Sequence, residues 1–198
     1  MERVPAVFIS PTDRLARWLR RYSHREDAAQ HYHNAWFRIE DGIVQRNAEG
    51  RRQVDGPMVD HADPRWPTTC DCGYVFGPED EWQVFTDVIY DNGLPLREAP
   101  IGSLWDAFWY PNERRGPDGL YLLAKCPGGG IWSIDGRASN CGLPQDHEHR
   151  CWVRHGSPKD GTIHVDKNGL TCQAGGGSIQ THNWHGFLTR GFFQEQRD

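Results

Sequence analysis

The spacing of apolar positions changes along the chain. From Leu15 they recur at helical intervals, with Trp18, Leu19 and Tyr22 on one side and Arg14, Arg17, Arg20, Arg21 and Arg25 on the other. Ser10-Pro11-Thr12-Asp13 precedes them and reads as a helix start. Ser10 caps, Pro11 suits the first helical position, and Asp13 reaches back as in a capping box. Trp36-Phe37-Arg38-Ile39-Glu40 and Ile43-Val44-Gln45 flank Asp41-Gly42, which predicts a hairpin on a two-residue turn. Residues 46–64 are polar and read as a loop. Pro78-Glu79-Asp80-Glu81 followed by Trp82, Phe85, Val88 and Ile89 predicts a second helix with an acidic first turn. Leu104, Trp105, Phe108 and Trp109 predict a third, core-facing one.

From Leu120 the period shortens. Leu120 to Cys126 is a buried strand, Pro127 to Gly130 turn the chain, and Ile131 to Ile134 return it. Cys151-Trp152-Val153 and Thr162 to Val165 are short strands, the second closed by Asp166-Lys167-Asn168-Gly169. Leu170-Thr171-Cys172 follows, Gly175 to Gly177 turn into Ser178-Ile179, and Gly186 to Thr189 form a last strand before a tail that frays after Phe193. The expected fold is α+β. A preface over 1–64 holds a helix and a hairpin. A Cys-rich domain over 65–198 holds the remaining helices and then a small antiparallel β structure with Cys-tethered loops. Preface and domain together make one compact unit.

Composition narrows the function. At 198 residues, 37% of them hydrophobic, the chain buries a core and is not a disordered tail. Nine Trp bring buried area and 22 Gly bring turns. A net charge of −5 argues against a protein whose main work is neutralising phosphates, so the arginines of the first helix read as a solvated face and nucleic-acid binding stays an alternative. No apolar window approaches a membrane span of ~20 residues. Met1 to Ser10 lacks the apolar core of a signal peptide, which points to the cytoplasm. There, six cysteines serve metal more often than disulfides, with unpaired buried thiols as the third option.

Cys70-Asp71-Cys72-Gly73 forms a tight knuckle in which a disulfide would be strained. Cys126, Cys141, Cys151 and Cys172 each sit at a strand end or turn and together make a candidate four-thiolate structural zinc site. The alternative joins Cys141 to Cys151 as a disulfide and leaves Cys70 and Cys72 to find partners in Cys126, Cys172 or a histidine. One of His155, His164, His182 and His185 can complete a site. The candidate metal set is therefore Cys70, Cys72, Cys126, Cys141, Cys151, Cys172 and His185. His147-Glu148-His149 has neither the one-turn spacing of helical metalloprotease histidines nor the deaminase pattern, so it reads as solvated. The glycine runs lack the Lys-Ser/Thr of a phosphate loop, and Ser178 lacks a nucleophile-elbow context. No catalytic residue is assigned.

Lys125-Cys126-Pro127-Gly128-Gly129 to Trp132, Arg137 to Cys141, His149 to Gly156, His164 to Gly169, Gly177-Ser178-Ile179 and His185 to Gly191 follow one another in an order that resembles a family of small uncharacterised bacteriophage and prophage proteins. The resemblance spans roughly residues 65–191. The chain also resembles short zinc-binding domains with a Cys-Pro-x-Gly-x-Gly turn, but Gly128 to Gly130 supply no second cysteine near Cys126. These resemblances imply a phage origin and metal binding, and no activity. The expected function is a phage-type, zinc-stabilised, non-catalytic protein in the virion or host cytoplasm, acting as a virion component or on a host protein partner. Its alternatives are a zinc-dependent hydrolase using histidines of the 147–185 region and a nucleic-acid-binding module.

Overall fold

Leu15, Ala16, Arg17, Trp18 and Leu19 are all buried. Five successive helical residues point all round the axis, whereas a central strand alternates them between two covered faces. The computed structural model has the second arrangement. It describes residues 3–26, 32–40, 42–48, 50, 52–53, 59–110, 115–143, 145–146, 149–167 and 177–196. Among these it is built of strands, and its single helical element is a 3-10 turn at Leu96–Glu98. The α+β expectation with N-terminal helices is therefore corrected to an all-β fold.

The chain opens with β1 (Arg3–Pro5) and β2 (Val7–Phe8). Then come β3 (Pro11–Glu26), β4 (Tyr32–Ile39), β5 (Gln45–Arg46), β6 (Arg52–Gln53) and β7 (Glu81–Tyr90). The rest are β8 (Ser103–Asp106), β9 (Leu122–Lys125), β10 (Ile131–Ser133), β11 (Trp152–His155), β12 (His164–Lys167), β13 (Ile179–Thr181), β14 (Trp184–Thr189) and β15 (Phe192–Glu195). Two compact units result. Residues 11–98 form one, and residues 1–10 with 99–198 form the other.

In the 11–98 unit β3 is the middle of an antiparallel sheet of order β4-β3-β7. Leu19 and Ile39 on one face pack with Val59 and Trp66, while Ala16, Trp18 and Ile89 pack on the other. Apolar residues thus fill both faces of β3, and the apparent helical spacing of Leu15, Trp18, Leu19 and Tyr22 is a by-product of that double coverage. The expected solvated arginine face dissolves likewise: Arg17 and Arg21 are buried. The second expected helix is β7, and the third is β8 with a turn after it. The expected hairpin is also repartnered. β4 pairs β3, and Ile43 bridges Arg14. Asp41 of the expected turn lies outside the described residues, and Gly42 lacks the positive φ that a two-residue turn would demand.

In the other unit one sheet has the order β1-β15-β14-β13, another β10-β9-β8-β2, and β11 pairs β12. The hairpin expected across residues 120–134 is present as β9 and β10. Leu104, Leu122, Ile134, Ile163, Leu188 and Phe193 share the core. The fraying expected after Phe193 does not begin there: β15 continues to Glu195 and pairs both β14 and β1, while residues 197–198 lie outside the described residues. The expected turns at 168–169 and 175–176 lie outside the described residues. No helix among the described residues is long and apolar enough to cross a membrane.

Candidate metal centres

Two clusters of two cysteines and one histidine stand out, one in each unit. In the 11–98 unit the knuckle is a short antiparallel turn. The Cys70 amide donates to the Tyr74 carbonyl at 2.8 Å, the Gly73 amide to Cys70 at 2.8 Å, and the Phe76 amide to Thr68 at 2.9 Å. Gly73 has φ of 91°, which glycine adopts without steric cost. Cys70 and Cys72 therefore flank the bend.

β4 supplies the third donor. Tyr22 pairs Asn34 and Glu26 pairs Tyr32, so three β3 residues pass opposite His33 alone. Such bulges re-aim side chains. The buried His33 places Nδ1 3.2 Å from Cys72 Sγ and stacks on Tyr74 at 4.0 Å between ring centroids. The Tyr74 hydroxyl donates to Asp80 at 3.2 Å, and the Gly77 amide donates to the same carboxylate at 2.8 Å. Burial opposes the Asp80 charge. The bonds from Gly77, Ser23 and Tyr74 and the charge of Arg21 outweigh it and hold the carboxyl below its usual range. The ring behind His33 is thus fixed by a buried, ionised partner.

In the other unit Cys141, His149 and Cys151 converge. Cys141 sits in a turn closed by its amide donating to Ala138 at 3.1 Å, and its sulfur accepts the Leu143 amide at 3.4 Å. The His149 amide donates to the Asp146 carboxylate at 3.1 Å. His149 Nε2 lies 3.5 Å from Cys151 Sγ. Cys151 directly precedes β11, whose Trp152 packs edge-on against Trp132 at 5.4 Å, so one side of the cluster is anchored to the core.

Two sulfurs and one imidazole form a borderline-soft donor set that suits zinc. Bond lengths of about 2.3 Å to sulfur and about 2.0–2.1 Å to nitrogen at tetrahedral angles put sulfur and nitrogen about 3.5 Å apart. The observed separations are 3.2 and 3.5 Å. In each cluster the three donor atoms all lie within 4.8 Å of one another. Either group could hold a metal ion.

The candidate residues are thus redistributed. Cys70 and Cys72 come together with His33, and Cys141 with Cys151 and His149. No disulfide joins the five described cysteines, the Cys141–Cys151 alternative included. Cys126 is in neither cluster. It is fully buried in the core, and burial pushes its thiol up to about 12. His185 is in neither cluster and places Nε2 2.9 Å from the Ser178 hydroxyl. His155 and His164 face each other across β11 and β12, where His164 Nε2 lies 2.9 Å from Asp166; His182 is exposed. Cys172, His147 and Glu148 lie outside the described residues. His149, read as solvated, is buried. His33 was missed: its one sequence signal is a histidine two residues after His31, just ahead of an aromatic strand. No family model matches the chain, and comparison with curated proteins and with solved structures finds no match.

Proposed function

We propose that this protein is a non-catalytic binding protein whose two units are each held in shape by a zinc ion. The observation that carries the reading is the repeated donor set: two sulfurs and one imidazole converge twice, at spacings close to a zinc tetrahedron's edge. His33 and the 70–72 knuckle are far apart in sequence, so an ion there would cross-link β4 to the knuckle. Structural zinc contributes folding free energy directly.

A binding role is supported by one face of the β4-β3-β7 sheet. Arg20 lies 4.4 Å over Tyr22 and 4.9 Å over Trp36, and Arg97 lies 3.8 Å over Trp18. Trp36 is 45% exposed. Arginine and aromatic residues carry much of the energy of protein interfaces, so the partner is read as a protein. Nucleic acid is less well served, because Arg38 already pairs with Glu40 and Glu98 and Arg97 lies 4.0 Å from Asp87. A virion or host-interaction role in the host cytoplasm or particle rests on the motif resemblance alone and is proposed with it.

Metal analysis of the protein purified without chelator tests the reading. Two zinc ions per chain are expected, falling to one in Cys70→Ser and to one in Cys151→Ser. Metal-free protein that is fully folded would end it. A zinc-dependent hydrolase is the second reading. It is favoured by the three donors of each cluster among the described residues, the number that catalytic zinc takes from protein. His149 would then be a ligand, not a base. Ester or phosphoester hydrolysis that disappears in Cys151→Ser would select it.

A further inference from the structure

A different kind of site lies on the outer face of the unit formed by residues 1–10 and 99–198. A cavity of about 620 Å³ is lined by Arg3, His164, Thr189, Arg190, Phe192 and Gln194. It shares no residue with either Cys/His cluster. Strand alternation brings these residues together. Val4, Val165, Leu188 and Phe193 turn into the core, so their neighbours Arg3, His164, Thr189, Phe192 and Gln194 turn outward. Arg3 pairs with Gln194, and Thr189 with Phe192.

Arg190 stands in the turn between β14 and β15 with φ of 48°, the only non-glycine in the left-handed region among the described residues. Its neighbour locks it there. The Gly191 amide donates to Ile163 at 2.7 Å, and the Gly191 carbonyl accepts from Ala6 at 2.7 Å. A Cβ on Gly191 would lie 1.9 Å from the Gly161 carbonyl oxygen. With Thr189 paired to Phe192, Arg190 and Gly191 (φ 78°) are the two central residues of a hairpin turn that takes positive φ at both, which presents the Arg190 side chain at the rim of the cavity.

The lining is rich in donors and contains no carboxylate. Arg3 and Arg190 have no ion-pair partner among the described residues, although the chain as a whole carries −5. The His164 Nδ1 atom is buried without a hydrogen-bond partner, while Nε2 is held by Asp166 at 2.9 Å. Guanidinium groups match phosphate oxygens bidentately. Phe192, 38% exposed, offers an aromatic wall. The volume falls in the range of small-molecule sites, roughly 300–1,000 Å³, and is much larger than a bare anion needs.

We propose that this cavity binds a phosphorylated small molecule carrying a planar ring, of the nucleoside monophosphate class. Arg3 and Arg190 hold the phosphate, Thr189 and Gln194 donate to it or to the sugar, and Phe192 packs against the ring. This inference is independent of the zinc reading.

Calorimetric titration of the full-length protein with AMP, adenosine and inorganic phosphate at low ionic strength tests it. AMP is expected to bind at least tenfold more tightly than phosphate, and adenosine not detectably. Arg3→Gln and Arg190→Gly are each expected to weaken AMP binding tenfold or more. Glycine suits the backbone at position 190, so the thermal midpoint of that variant should hold or rise and a loss of binding cannot be laid to misfolding. Phe192→Ser should weaken AMP and leave phosphate affinity unchanged. The proposal is overturned if folded protein does not bind AMP, if adenosine or phosphate binds as tightly as AMP, or if Arg190→Gly leaves AMP affinity unchanged.

Discussion

Cys126 and Cys72 show how one residue type takes two roles in one chain. The thiol of Cys126 is buried and pushed up to about 12, so it stays protonated at neutral pH, and it lies in neither Cys/His cluster. Cys72 is exposed and belongs to a Cys/His group that could hold a metal ion. Alkylation of the folded protein followed by mass spectrometry is expected to leave Cys126 unmodified. Cys72 should be modified quickly only after chelator treatment. Asp80 gives a pH test. Its pKa is depressed in the folded state, so as pH falls the unfolded chain takes up the proton first. The stability it contributes is present above the ordinary aspartate range, near about 3.9, and is lost as pH drops below it. Urea midpoints at about pH 5 and about pH 3 should therefore converge in Asp80→Asn relative to the parent. The half-buried Arg154, whose side chain is 5% exposed, donates from Nε to Asp135 at 2.8 Å and also bonds Asp118. Arg154→Met should cost about 3–5 kcal/mol in urea unfolding, because it strands a buried carboxylate. At this scale the cysteine knuckle was legible and the histidines were not. A thiol pair one residue apart has few other uses, whereas a histidine becomes a ligand only when folding delivers it, as the β3 bulge delivers His33.

Elements were legible where one reading of the period was possible. The β9–β10 hairpin has a short apolar run, a proline-glycine turn and a return, and it formed as read. β3 failed because a strand covered on both faces has no polar–apolar alternation to betray it, and its arginines looked like a solvated stripe. Two of those arginines lie over rings instead: Arg20 is 4.4 Å over Tyr22 and Arg21 is 3.8 Å over Trp82. The sheet's energetics follow the same geometry. Leu19 is fully buried in the centre of β3, while its cross-strand neighbour Val84 is 36% exposed. Leu19→Ala is expected to cost about 2–5 kcal/mol, and Val84→Ala well under about 1.5 kcal/mol, by urea denaturation.

The whole molecule is two units in which one interrupts the other. The chain leaves the first unit after Ser10 and returns to it at Ala99. Nothing in composition marks either crossing, because neither is a glycine- or serine-rich linker, so the interleaving could not be read from the sequence. Each unit has its own core and its own Cys/His group, so metal loss should act locally. In Cys70→Ser, hydrogen exchange is expected to quicken in peptides from 11–98 and to stay unchanged in peptides from 99–198. Cys151→Ser should give the reverse pattern.

The pairing of Arg3 with Gln194 and of Pro5 with Phe192 also sets a timetable for synthesis. The opening strand leaves the ribosome with its hydrogen-bonding edge unmatched, and its mate is nearly the whole chain away. At roughly 5–20 residues per second that interval is roughly ten to forty seconds. The inserted unit is complete well before then. The enclosing unit closes later, so a nascent chain stalled between β7 and β15 carries a finished β4-β3-β7 sheet and an unclosed one that chaperones can recognise.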